Sequence, residues 1–338
     1  MAYSSLTDGL NPNVFANLIT EGVFATNALL SSGAIVRSNE LNLRAGQPGS
    51  VGTLPVLNVQ AYSDPDIATD DATQATLSAA QIKPQIFQKD YLSRTYGVSE
   101  LMETVNGVDM IQQIVDNKVV PDVNRIINSF AMSKLNGVIA HNIATDGGDM
   151  VVNVNLDTVA ATTSLTGPSV STFTDAMTTM GDNRGKISLV IMHSVVYGFL
   201  MKNDGANTLR ASATTPFPSY MGIPVYLDDT VPVVNGTNKK LFTCYLLGEG
   251  ALAYGEADLG VRAVEAWKNP TAGNGWGNET LTVRKQVILH PVGHSSAAGT
   301  VTNGLSPLRT AYEVAGAWTR VLNRKNCPII ALKVNANV

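Results

Sequence analysis

His290 and His294 stand four residues apart, the spacing at which two imidazoles on one face of a helix aim at a shared metal ion. Pro291 and Gly293 lie between them and break that register, so the pair is not a helical metal site. The GHSSAAG run from Gly293 to Gly299 has the serine of a nucleophile elbow, but Ala297 stands where the second glycine belongs and no strand-to-helix switch surrounds Ser295. GEGALAYG, from Gly248 to Gly255, lacks both the G-x-G-x-x-G spacing and a lysine for phosphate, and reads as a tight turn. Asp228 and Asp229 are adjacent, so an extended backbone points them to opposite faces and they cannot share a proton. His141 and His193 are isolated in the sequence, and Cys244 and Cys327 sit in apolar, strand-like contexts that suit buried reduced thiols. No catalytic, cofactor or metal set emerges. The expectation is a protein that is not an enzyme, with a soluble α/β enzyme as the weakest alternative.

The charges that remain are suited to contact. Asp64, Asp66, Asp70 and Asp71 crowd one polar stretch, and Lys83 and Lys89 follow it, read as solvated strand lysines. Across 338 residues the formal net charge is -4 and no Arg-rich arm occurs, which argues against groove-reading of nucleic acid because phosphate neutralisation needs clustered cations. Charged residues make up only 15% and hydrophobic residues 44%, with 29 Gly and 15 Pro, a composition that suggests an exterior meeting other protein. The N-terminal MAYSSLTDGLNP has no basic region followed by an apolar stretch, and the sequons at Asn235 and Asn278 carry no meaning without one. The most apolar window, Leu189 to Met201, contains His193 and Ser194 and falls short of the roughly 18 residues needed to span a bilayer. No membrane association is expected.

The elements that would position these residues follow in a definite order. Residues 1–50 mix apolar residues with Ser, Asn and Gly; Phe15, Leu18 and Ile19 could form a short amphipathic turn, and a segment with so little apolar surface should lie on something else. Residues 53–62 and 82–98 are two strand-like runs joined by the acidic stretch, with Pro55 and Pro84 suited to edge positions; together they predict a projecting hairpin over 51–98. From Glu100 to about His141 the spacing predicts a long helix. Val123, Ile127 and Phe130 lie on its apolar face, Lys118, Asp122, Arg125 and Lys134 lie elsewhere, Pro121 opens or kinks it, and Gly147 and Gly148 end it. Thr172 and Asp175 suggest a capping box for a second helix, followed by a strand over Ile187 to Met192, a helix from about Ser194, and alternating strands at 222–232, 240–256 and 278–293. At the C-terminus, Ser306 and Pro307 predict a helix start, with Leu308, Tyr312, Ala315 and Val321 at near-helical spacing, before Pro328 enforces a strand.

That closing segment also carries a resemblance. Trp318, Arg320, Val321, Lys325, Asn326, Pro328, Ile329, Ile330, Leu332, Lys333 and Asn335 form the arrangement W-x-R-V-x(3)-K-N-x-P-I-I-x-L-K-x-N, which resembles the end of tailed-phage major capsid proteins with the Hong Kong 97-like fold. The strand-H-S-x-V-helix, G-I-P-V-Y-x-D-D and Y-L-L-G-E-G-A-L-A-Y-G stretches are similar to the axial domain of such subunits. The resemblance implies an α+β chain with an N-terminal arm at 1–50, an extended β-hairpin (E-loop) at 51–98, a peripheral domain with a spine helix at 99–180, an axial α/β domain at 181–278, and a return to the peripheral domain at 279–338. It implies self-assembly into hexamers and pentamers of an icosahedral head around double-stranded DNA, held without sequence-specific contacts. A virion shell assembled in the host cytoplasm is the expected location. Almost nothing precedes the arm, so a separate scaffolding protein is expected, alongside a portal and a possible decoration protein. The hairpin tip, with Lys83 and Lys89, is the expected inter-subunit contact, and some family members link a hairpin lysine covalently to a neighbour's asparagine. An encapsulin-like compartment shell is the alternative that shares the fold. Nothing in the resemblance requires a cofactor.

Overall fold

A computed structural model of the chain describes residues 28–58, 64–72, 74–76, 81–106, 118–154, 167–209, 218–235, 240–259, 263–297 and 306–336. The expected turn at Phe15, Leu18 and Ile19 lies outside them. Two sheets organise the described residues. An eight-stranded sheet runs in the order β5 (Val151–Val154), β17 (Ile329–Ala336), β11 (Lys240–Gly248), β6 (Ile187–Met192), β9 (Ile223–Leu227), β8 (Ser219–Tyr220) and β7 (Thr208–Leu209), with β10 (Val233–Asn235) also on β11. A five-stranded sheet has the order β1 (Ile35–Arg37), β12 (Leu252–Glu256), β14 (Asn278–Pro291) and β13 (Val264–Asn269), with β4 (Asp90–Ser99) paired to β14 as well.

The continuous apolar runs of β6, β11 and β17 have a direct cause. Successive strand residues point to opposite faces, and both faces of the larger sheet are buried. Leu189, Ile191, Tyr245, Leu247, Ile329 and Ala331 enter one core, shared with the long helix α4 (Val120–Thr145) and the smaller sheet. Their neighbours Val190, Met192, Cys244, Leu246, Ile330 and Leu332 enter a second core, under α5 (Val170–Thr178) and α6 (Ser194–Asn203). Both cysteines are free and buried.

Sheet pairing crosses the expected boundary at residue 278: β12 and β13 pair with β14 in the smaller sheet, and the C-terminal β17 sits beside β11 in the larger one. Distant pairing decides sheet membership, and sequence order does not reveal it. Several other expectations need correction. Residues 28–50 also fold into the body instead of merely lying on it. Leu29, Leu30, Ala34 and Ile35 enter the first core, while α1 (Ala28–Ser31), β1 and α2 (Asn39–Ala45) occupy this stretch. The long helical segment is described as α3 (Glu100–Asn106) and α4, with residues 107–117 outside the described set. The capping box of α5 is Ser169 with Thr172, one turn before the expected pair; Ser169 has the extended backbone a cap needs. The expected C-terminal α-helix is instead two 3-10 turns, Arg309–Glu313 and Ala315–Ala317, ahead of β16 (Trp318–Arg320). Ser306 does not cap them, because its hydroxyl accepts the Tyr91 amide N–H at 3.2 Å.

Candidate assembly site

The hairpin consists of β2 (Val51–Asn58) and β3 (Gln81–Gln88), which among the described residues form a two-stranded sheet of their own. Pro55 and Pro84 face each other in the register, so the two residues without an N–H fall on one rung. Asp64, Asp66, Asp70 and Asp71 are all exposed on the stretch between the strands. Asp66 accepts both the amide and the hydroxyl of Thr76, the latter at 3.0 Å, and Thr69 donates to Asp71 at 2.7 Å, so two of the four aspartates shape the loop. Ile67, 88% exposed, and Ile82, 68% exposed, add apolar surface to a two-stranded element that has little core of its own.

The root of the hairpin is built differently. Lys83 is exposed, but Lys89 is buried to 1% exposure, which corrects its reading as a solvated lysine. Its ammonium donates to the carbonyls of Ala45, at 3.3 Å, and Gln47, at the carboxyl end of α2, where cations are favoured. Burial pushes its pKa down. Beside it, the Ile86 amide donates to Ser295 at 3.0 Å and Gln85 pairs with His290 Nε2 at 3.1 Å, joining β3 to β14 and to β15 (His294–Ser296). Burial, reinforced by the charge of Lys134, drives the His290 pKa down to about 3; His294 falls to about 4, also chiefly through burial. Both imidazoles are therefore neutral across the physiological range, and they occupy two strands instead of one helix face.

Lys134 is the second correction on the sequence reading of the helix. It is 1% exposed and faces inward, where Nζ reaches Asp90 Oδ2 at 2.5 Å and the Leu289 carbonyl at 3.0 Å. Asp90, at the junction of the hairpin with β4, also accepts the Tyr312 hydroxyl, and Lys134 lies 4.3 Å above the Tyr312 ring. Burial first, and then the neighbouring Asp90 charge, raise the Tyr312 phenol far above its ordinary range. Val123 and Ile127 are buried on the same helix; Phe130 is only half-buried and meets Tyr312 edge-on at 6.3 Å. One ion pair thus ties hairpin root, α4, β14 and the C-terminal turn together.

The C-terminal residues complete the frame. Trp318 is buried and donates its indole N–H to the Tyr312 carbonyl at 2.9 Å. Arg320 grips Asp149 through both oxygens, at 2.7 and 2.8 Å, and approaches Asp146 at 3.4 Å, closing the turn where Gly147 and Gly148 adopt positive φ after α4. Burial alone would raise the Asp149 pKa, but hydrogen bonds from Arg320 and Asn142 outweigh it and hold the carboxyl below its usual value. Lys325 meets Asp182 at 3.2 Å on the surface, and the Pro328 carbonyl accepts the Gly248 N–H at 2.8 Å as β17 begins.

Sequence reasoning missed Asp90, Tyr312 as its partner, Asp149 and the inward Lys134. A lysine within an otherwise apolar helical stretch was the available signal for the last. Among the described residues no group of three or more His, Cys, Asp or Glu side chains is placed to hold a metal ion, and no helix is long and apolar enough to cross a membrane. What the arrangement can do is mechanical: it fixes one end of a two-stranded arm rigidly and leaves the other end exposed.

Known proteins share this plan. The chain is 28% identical to the major capsid protein of Bacillus phage SPP1 over 344 aligned positions, covering 98% of each. Its fold matches the capsid of Ralstonia phage GP4 with a TM-score of 0.61 at 9% identity, over 93% of this chain and 91% of that one. The cyanophage Pam1 capsid matches with a TM-score of 0.56 at 9% identity, over 93% of this chain and 92% of the other. These similarities place the α+β architecture among phage capsid subunits of the Hong Kong 97-like fold. The family described as major capsid protein 13-like matches residues 97–265, from the end of β4 to the start of β13, and the chain belongs to that family.

Proposed function

We propose that this major capsid protein closes an icosahedral head from hexamers and pentamers of itself, around double-stranded DNA that it holds without reading sequence. The observation that carries the reading is the hairpin: a rigid buried root at Lys89 and Asp90, and an exposed tip with Ile67 and Ile82 unprotected. Apolar surface on an element without a core is stabilised by a neighbour, and head-to-tail contacts around a ring supply one to every copy. Asp64, Asp66, Asp70, Asp71 and Lys83 are the contact residues in this scheme, whereas Lys89 acts from below as the anchor. The five-stranded sheet with α4 serves as the peripheral part and the eight-stranded sheet as the axial part. The work is structural rather than catalytic, performed in the virion shell after assembly in the host cytoplasm. A scaffolding protein, a portal and a decoration protein are the expected companions. The reported relatives are phage capsids, which favours a genome over the enzyme cargo of a nanocompartment. Light scattering of the purified chain across concentration and salt should show capsomers or larger multimers; a stable monomer throughout would contradict the proposal.

A further inference from the structure

Between α4 and the paired strands β4 and β14 runs a shallow groove with an almost wholly apolar floor, formed by Leu92, Val123, Ile126, Ile127 and Val283. Its enclosed space, about 20 Å3, holds little more than one water, so a partner lies along the groove and does not plunge into it. Cations surround that floor. Arg94 and Arg125 are exposed, and Lys118 stands 6.0 Å from the centre of the Tyr96 ring; none of the three is ion-paired among the described residues. Of the carboxylates at this site, Asp122, which accepts the Tyr96 hydroxyl at 3.2 Å, offsets one cation, and Glu256 is already met by Lys285. The groove therefore keeps an excess of positive charge.

The same chain carries the complementary surface. From Val51 to Ile82 it has four aspartates and no lysine or arginine, and those aspartates, Asp64, Asp66, Asp70 and Asp71, flank Ile67, which is 88% exposed. The tip cannot serve its own groove. β3 runs on into β4 across the single residue Lys89, and Gln85 meets His290 close to where the β4–β14 register would place it, so the hairpin extends the line of β4 in the direction away from Arg94. At about 3.3 Å per residue, the strand from Gln81 to Arg94 already spans about 40 Å. We infer that the hairpin tip of one copy docks along the α4–β4 groove of a second copy, with Ile67 over Ile126 and Leu92, and with Asp64 and Asp70 facing Arg94 and Arg125. This docking gives the proposed hairpin contact its receiving surface and rests on that reading. Because tip and groove are different patches, the contact is head-to-tail and repeats around a ring.

The test mixes two full-length variants, Ile67→Cys and Ile126→Cys, under conditions of assembly and adds a short bis-maleimide, with the buried Cys244 and Cys327 as unreactive background. Covalent dimers should form in the mixture at about tenfold or more the yield from either variant alone, because docking holds the two thiols at high effective concentration. Adding Arg94→Glu and Arg125→Glu to the Ile126→Cys protein should cut that yield about tenfold, and adding Asp64→Lys and Asp70→Lys to the Ile67→Cys protein should restore it. Multimers that assemble in the mixture without this cross-link overturn the inference and leave the shell reading standing, whereas the absence of any multimer removes both. A yield unmoved by the charge reversals overturns the inference as well. If Ile126→Cys fails to fold, Leu92→Cys in the same groove gives the same comparison.

Discussion

A lysine turned into a helix's apolar face is destabilising unless its charge is met, and Lys134 is met by Asp90, by the Leu289 carbonyl and by the Tyr312 ring. Removing one member leaves the other charge buried and alone. Lys134→Met should therefore lower stability by about 3–5 kcal/mol in urea unfolding, and adding Asp90→Asn should restore part of the loss. A single variant as stable as the parent would show that the pair is not closed in solution. The histidines give a pH dependence with a defined sign. His290 and His294 have folded pKa values of about 3 and about 4, below the ordinary 6.5, so the unfolded chain takes up protons first as the pH falls. Stability should be full above about pH 6.5 and decline toward pH 3, by on the order of 3 kcal/mol for each histidine. Asp149, held low by Arg320 and Asn142 against its own burial, adds to the decline in the acid range, because its ion pair is lost once the carboxyl is protonated. Replacing His294 by Gln should flatten the slope of melting temperature against pH between 6.5 and 4; an unaltered slope would show that His294 is not buried as described.

At the scale of elements, close approach is the constraint that sequence periodicity does not carry. Gly137 sits in α4 where the C-terminal turn crosses it, and a Cβ there would fall 1.8 Å from the Tyr312 carbonyl oxygen and 2.6 Å from Trp318 Nε1. Alanine normally favours a helix, yet Gly137→Ala should destabilise by about 3 kcal/mol through this overlap, read as a lower urea midpoint. A gain in stability would place the C-terminal turn elsewhere. The stretch between the hairpin strands makes the opposite case, since its described residues are exposed. Shortening residues 62–80 to an Asn-Gly turn should leave circular dichroism and solubility near those of the parent while assembly is lost or diverted to aberrant particles. Normal shells from the shortened chain would remove the hairpin from the contact scheme. These elements were unequally legible in the sequence. The hairpin strands, the second half of the long helix, and β6, α6, β14 and β17 could be read from alternation, helical spacing and proline placement, because each signal is local. Lys134 was placed off the apolar face and Lys89 was assigned to solvent because their partners, Asp90 and two backbone carbonyls, meet them only in the tertiary structure. The C-terminal α-helix failed for a related reason: the hydroxyl of Ser306, the residue that marked its start, accepts the Tyr91 amide N–H instead.

For the molecule as a whole, the eight-stranded sheet is the shared wall of both main cores, with alternate residues of β6, β11 and β17 facing each. β17 lies next to the edge of that wall, between β5 and β11, and contributes alternate residues to both cores. The buried ion pair then fixes the hairpin root to α4, while the tip stays exposed. The sequence resemblance covered the same ground by motif, but it divided the chain consecutively, while the sheets recruit β12 and β17 across that division. A closed shell is the function proposed for this geometry. Electron microscopy of the expressed full-length chain, with its scaffolding protein supplied if needed, tests it most directly. The account predicts closed icosahedral particles or tubes built of six-fold and five-fold capsomers; a field of dispersed, folded monomers under all conditions of assembly would contradict it.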